Sequence, residues 1–163
     1  VLHPSKVSAL ILVDAAGLPS EEDIPFIFKF YQIPILKGLL SSFTPQFMVR
    51  DSIEDVYGEP NLVTDPMVQQ YHDLLLRSGN RQATVERFDP AQFKNLYSRI
   101  TEIKTPTLIL WGTKDIWILP KYAARFEALI EGSKVIMYPS LGHVPMEEAP
   151  VQTASDVRDF LQP

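Results

Sequence analysis

Residues Thr105–Pro120 read TPTLILWGTKDIWILP, and further on Ser140–Pro150 read SLGHVPMEEAP. Within the first stretch, Thr107–Trp111 is a short unbroken apolar run stopped by Gly112, the pattern of a strand buried on both faces. Lys134–Tyr138, KVIMY, is a similar run that stops at Pro139. Between the two, Tyr122, Ala123, Phe126, Leu129 and Ile130 recur at helical spacing after Pro120, and Gly132 supplies the stop. Strand, helix and strand with short joints make a parallel βαβ unit, for which a right-handed crossover is expected.

Working outward, Val7–Val13, VSALILV, predicts another strand buried on both faces, closed by Asp14-Ala15-Ala16-Gly17. The stretch from Ser20 to about Arg99 has a different texture, with no sustained two-residue alternation. Thr44-Pro45, Asp65-Pro66 and Asp89-Pro90 each set a capping residue before a proline, and Gln92 stands where a capping-box partner of Asp89 would. Val68, Tyr71, His72 and Leu75 share a helical face, as do Phe93, Leu96 and Tyr97. Three to five short helices are therefore expected between the first and second strands. A closing helix over Glu147–Leu161 is expected to bury Val151, Ala154, Val157, Phe160 and Leu161. The predicted organisation is a core of residues 1–19 and 100–163 carrying a helical insertion over residues 20–99.

Composition bounds the function classes. The chain has 163 residues, 45% hydrophobic, 21% charged and 10% aromatic, which suits one globular core and excludes collagenous, coiled-coil and disordered classes. Lys and Arg number 15 against 20 Asp and Glu, a net charge of -5, so a phosphate-tracking surface for nucleic acid is not expected. With no cysteine there is neither a disulfide framework nor a thiolate site, which favours a reducing, cytoplasmic compartment. The most apolar stretch, Ile24–Leu40, is broken by Pro25, Lys29, Gln32, Pro34 and Lys37, so no membrane span is expected. Val1–Lys6 carries neither an initiator Met nor a signal pattern, and the chain reads as if cut from something longer.

Open parallel sheets gather their functional groups at the carboxyl ends of the strands. Two loops occupy such positions: Trp111-Gly112-Thr113-Lys114-Asp115 and Ser140-Leu141-Gly142-His143-Val144-Pro145. If their strands are neighbours, Asp115 and His143 project from one rim. A carboxylate accepting from imidazole Nδ1–H fixes the tautomer and leaves Nε2 free as a general base.

These residues carry a resemblance. TPTLILWGTKDIWILP followed by SLGHVPMEEAP resembles the acid and histidine segments of the α/β-hydrolase superfamily, and the opening HPSKVSALILVDAAG resembles the strand after its nucleophile helix. The resemblance implies a three-layer α/β fold whose helical insertion is the cap, with Asp115 as triad acid and His143 as triad base. No G-x-S-x-G elbow and no HG-type oxyanion loop occurs in the sequence, so the chain resembles the carboxyl-terminal part of such an enzyme. The family then implies a cofactor-free hydrolysis of a small apolar ester, or of a C–C bond beside a ketone. The nucleophile, Ser or Asp, would decide the reaction class. Trp117 and Val144 are expected to contact the substrate, with Ile118 beside them. The alternative is a non-catalytic fragment or interaction module that keeps the fold without a nucleophile or oxyanion hole. In either case the first strand, deprived of an upstream neighbour, is expected to pair with another copy or with the missing amino-terminal part.

Rival readings exist for each residue. Asp115 in Gly-Thr-Lys-Asp is also ordinary turn chemistry, and Asp14 is the rival acid because some family members place theirs near that strand. Asp55 and Asp65 lie in the insertion and are poorer candidates. His3 and His72 read as structural, and isolated histidines without an i, i+4 pair argue against a metal site. Phe26, Phe28, Phe30 and Tyr31 would line an entrance or pack a cap helix equally well. Glu147 and Glu148 are expected to serve the first turn of the last helix.

Overall fold

The computed structural model describes residues 3–19, 33, 43–87 and 97–162. Three parallel strands, β1 (Leu10–Val13), β2 (Thr107–Gly112) and β3 (Lys134–Tyr138), form a sheet in the order β1-β2-β3. Leu10 stands opposite Thr107, and Leu108 opposite Lys134, so β2 is the middle strand on which both neighbours are registered. Its side chains alternate between two cores. Ile109 and Trp111 pack with Ile100, Tyr122, Ala123, Phe126 and Ile130 on one face, and Leu108 and Leu110 pack with Tyr138 on the other. This is why the run reads as continuously apolar, and all six of its residues are buried.

The first strand is shorter than the Val7–Val13 run suggests, and its four residues are half-buried where burial on both faces is expected. Pro4–Lys6 forms a 3₁₀ turn, Val7 is exposed, and pairing begins where Leu10 N–H donates to Pro106 O at 2.9 Å. Pro106 accepts but has no N–H to return, so the ladder stops there. In the third strand only Tyr138 is buried; Val135 and Ile136 are half-buried, and Lys134 and Met137 are exposed.

The chain divides into two compact units. The sheet belongs to a unit of Val1–Pro19, Val56–Glu59 and Leu96–Pro163, so a four-residue piece of the expected insertion packs with the strands. The other unit spans Ser20–Asp55 and Pro60–Asn95. Among its described residues lie α1 (Gln46–Val56, whose last residue counts with the sheet), α2 (Asp65–Leu75) and α3 (Asn80–Arg87). In α1 Val49 and Ile53 are buried one turn apart. In α2 Val68 is buried and Tyr71, His72 and Leu75 are half-buried on the same face. The cap of α2 is Thr64 and not Asp65: its Oγ1 accepts from Met67 N–H, while Pro66 occupies the first turn. His72 Nε2 bonds Thr44 O at 3.0 Å, a structural role. The Asp89-Pro90 start, the Phe93 and Leu96 positions and the Phe26–Tyr31 aromatic segment lie outside the described residues.

In the sheet unit, α4 (Lys121–Leu129) buries Tyr122, Ala123 and Phe126. The expected closing helix is two: α5 (Pro145–Glu148) and α6 (Pro150–Leu161). Pro150 has no N–H to continue the ladder and pushes Ala149 out of helical geometry, to φ −136° and ψ 62°. The break also resets the buried face of α6. Val151 is 85% exposed, and Ala154 and Leu161 are exposed as well. Thr153 is buried instead, its hydroxyl donating back to Ala149 O at 3.0 Å, and Val157 and Phe160 pack on the Leu108 and Leu110 face.

Candidate active site

The loops after β2 and β3 are laced together by their backbones. Thr113 N–H donates to Tyr138 O at 3.0 Å, Lys114 N–H to Leu141 O at 2.9 Å, and Ser140 N–H to Thr113 Oγ1 at 3.1 Å. Asp115 closes the first loop, its N–H reaching Gly112 O at 3.3 Å, and only 2% of the residue is exposed. Its carboxylate accepts from Trp117 N–H at 2.8 Å and Ile118 N–H at 3.0 Å on Oδ1. The other oxygen, Oδ2, lies 2.7 Å from His143 Nδ1. A carboxylate only accepts, so Nδ1 carries the proton and Nε2 holds the lone pair. The structure thus brings together the acid and the histidine singled out from the sequence. Trp117 is half-buried with its ring tilted 39° to the imidazole at a centroid distance of 5.6 Å. Val144 is half-buried too and starts α5. His3 is exposed, and Asp55 and Asp65 belong to α1 and α2.

The histidine loop is held by backbone contact with residues 56–58. His143 N–H donates to Val56 O at 2.7 Å. Gly58, Gly112 and Gly142 meet where a side chain has no room: a Cβ on Gly58 would lie 2.7 Å from Gly142 N, and one on Gly112 would lie 2.8 Å from Gly142 C. None of the three has left-handed φ, so close approach is what requires glycine here. Glu148 bridges the same gap, accepting from Gly58 N–H at 2.9 Å and Gly142 N–H at 2.6 Å. Glu147 accepts from Tyr57 O–H at 2.9 Å. Both glutamates do lie in the first turn of α5, but their carboxylates clamp residues 57 and 58, some ninety positions away in sequence. No local pattern signals such a pairing.

Asp14, the rival acid, directly follows β1 at φ 41° and is 3% exposed. Oδ1 accepts from Gly112 N–H at 2.9 Å. Burial pushes its carboxyl up to about 8 against the pull of the Gly112 N–H, and the nearby charges of Asp115 and Glu148 push the same way. Burial also raises Tyr138, whose hydroxyl donates to Asp156 at 2.8 Å. Asp14, Asp115 and His143 offer ligand atoms within 4.8 Å of one another. Both oxygens of Asp115 and Nδ1 of His143 are already engaged in hydrogen bonds, so the group fits an acid–imidazole pair better than a cation.

A parallel sheet flanked by helices, with an acid and a histidine at the carboxyl rim, defines the α/β-hydrolase class. The alpha/beta hydrolase family model matches residues 1–157, and the chain belongs to that family. Lipase 1 of Psychrobacter immobilis is 41% identical over 161 residues, covering 97% of this chain and 49% of the lipase. A 2-hydroxy-6-oxononadienedioate/2-hydroxy-6-oxononatrienedioate hydrolase of Pseudomonas putida is 26% identical over 162 residues, covering 98% of this chain and 56% of that enzyme. Among solved structures, a serine hydrolase of carbazole degradation superposes with a TM-score of 0.76 at 22% identity, covering 99% of this chain and 56% of that one. The fold is therefore shared, and the chain spans about half the length of the curated relatives it matches.

Proposed function

We propose that this chain carries the acid–base half of an enzyme that hydrolyses small apolar carboxylic esters, with residues 20–99 as its cap. The observation that carries the reading is the 2.7 Å contact between His143 Nδ1 and buried Asp115 Oδ2. His143 Nε2 takes the proton of an elbow nucleophile as it attacks the ester carbonyl, and returns that proton to the departing alkoxide. In the second half-reaction Nε2 deprotonates the water that attacks the acyl-enzyme, releasing the acid and restoring the nucleophile. Asp115 holds the tautomer and stabilises the imidazolium. Trp117, whose ring lies near the imidazole, and Val144, next to His143 in sequence, contact the acyl chain, and no cofactor enters. The relative at 41% identity is named a lipase, which favours an ester over a C–C bond.

The test is ester turnover by the complete encoded protein and its variants. His143→Ala should lower kcat by about 10⁴-fold or more, and Asp115→Asn by about 10⁴-fold. Wild-type turnover in His143→Ala would refute the assignment. A second reading, a module that binds without catalysing, draws on one fact: no G-x-S-x-G occurs among the 163 residues. It predicts that the complete protein hydrolyses nothing.

A further inference from the structure

Asp14 is a buried carboxyl that the mechanism above leaves unused. It arrives from β1, while Asp115 follows β2 and His143 follows β3, so each strand of the sheet delivers one member of the group. One oxygen of Asp14 is occupied by Gly112 N–H. The other, Oδ2, is buried and has no hydrogen-bond partner when treated as a bare acceptor. A buried oxygen left that way keeps its full desolvation penalty, which is larger still if it is charged. Protonation removes the difficulty, since Oδ2 then becomes a donor, and a carboxylate oxygen of Asp115 lies within 4.8 Å of one of Asp14.

We propose that Asp14 is a neutral carboxylic acid at neutral pH that donates its Oδ2–H to Asp115, as a positioning residue holding that carboxylate against His143. Among the described residues, the titratable groups around it are Asp115, His143, Glu148 of α5 and Tyr138 at the end of β3. Two of these, Asp115 and Glu148, are carboxylates whose charge opposes ionisation of Asp14. A charged Asp14 would set a second anion beside the one His143 must balance. A neutral Asp14 leaves Asp115 as the carboxylate that balances the imidazolium and adds a fourth hydrogen bond to the three that Asp115 accepts. The left-handed φ of 41° suits Asp or Asn better than residues lacking a short polar side chain. The inference deepens the hydrolase reading, yet its test needs no turnover.

That test is a pH titration of the complete encoded protein by NMR, following the Asp14 carboxyl carbon and the His143 ring. The carboxyl carbon of Asp14 should stay at its protonated shift through pH 6 and change near pH 8, and the His143 ring should show an inflexion at the same point. Asp14→Asn keeps an acceptor for Gly112 N–H and a donor for Asp115. It should retain the downfield Nδ1–H signal of His143 and lose that inflexion. Asp14→Ala should broaden or lose the Nδ1–H signal. An Asp14 carboxyl carbon already at its ionised shift at pH 6 would overturn the proposal, and this needs no variant to fold. So would a His143 titration in Asp14→Asn that matches wild type throughout. Failure of the hydrolase reading would appear separately, as unaltered turnover in His143→Ala of the complete protein.

Discussion

Gly142→Ala places one methyl group where three backbone segments meet, and the consequence for His143 can be worked from distances. The added Cβ would sit 2.5 Å from Gly58 N and 2.8 Å from Tyr57 C, with Val56 O closer still. Ordinary contact begins near 3.4 Å, so the loops must part by roughly 1 Å, and the obstructing atoms are backbone with no rotamer to change. Overpacking of this kind costs about 1–3 kcal/mol. The same parting stretches the bonds strung across the gap: His143 N–H to Val56 O at 2.7 Å, and the two amides that Glu148 accepts at 2.6 and 2.9 Å. Losing a hydrogen bond to a charged group costs about 1.5–3 kcal/mol, so a total loss of about 3 kcal/mol or more is expected. Urea unfolding followed by the fluorescence of Trp111 and Trp117 measures the loss, and the His143 Nδ1–H resonance reports whether the loop has moved. Gly79→Ala is the control: its φ of +84° makes alanine strained, yet nothing lies within 4 Å of the new Cβ. It should cost about 1 kcal/mol and leave the His143 signal in place. A Gly142→Ala chain with wild-type midpoint and an unmoved His143 signal would refute the reasoning.

Because the folded chain raises Asp14 from 3.8 to about 8, the native state binds a proton that the unfolded state releases, and stability should fall as pH rises from about 4 to about 8. Thermal melts across that window should slope downward in wild type and flatten in Asp14→Asn; equal slopes would count against a raised Asp14. This chain alone should turn over aryl esters negligibly, since His143 and Asp115 have no elbow sequence to work with; robust activity abolished by His143→Ala would redirect the search to Ser8, Ser41, Ser42 or Ser140. The chain should also self-associate: among the described residues β1 pairs only with β2, leaving an open edge. Beside that edge lies a hollow of about 270 Å³ lined by Val13, Leu110, Met146, Pro150, Thr153, Ala154 and Val157. Light scattering that finds a monodisperse monomer would contradict this.

What the sequence makes legible here is what local spacing encodes. Thr107–Trp111 declares itself because both faces of β2 are covered, and the helical stripe of α4 declares itself because one face is. Asp115 and His143 are legible because each follows a strand whose end is marked, by Gly112 and by Pro139. The rest depends on contacts between distant segments. Val151 has the right residue type for a core position and faces solvent, because the turn set by Pro150 decides which side of α6 meets the sheet. Glu148 looks like a helix-start acid until Gly58, in the middle of the insertion, is brought to it. Asp14 reads as the close of a strand, and only its burial beside a second carboxylate changes its chemistry.

The return of Val56–Glu59 to the sheet unit bears on how this protein can be re-engineered. A chimera that exchanged the whole insertion at its sequence borders would carry away Gly58, Tyr57 and the carbonyl of Val56, and with them the seat of the histidine loop. Replacements within residues 20–99 therefore have two permissible windows, one before residue 56 and one after residue 59, with the tetrapeptide retained as part of the recipient scaffold.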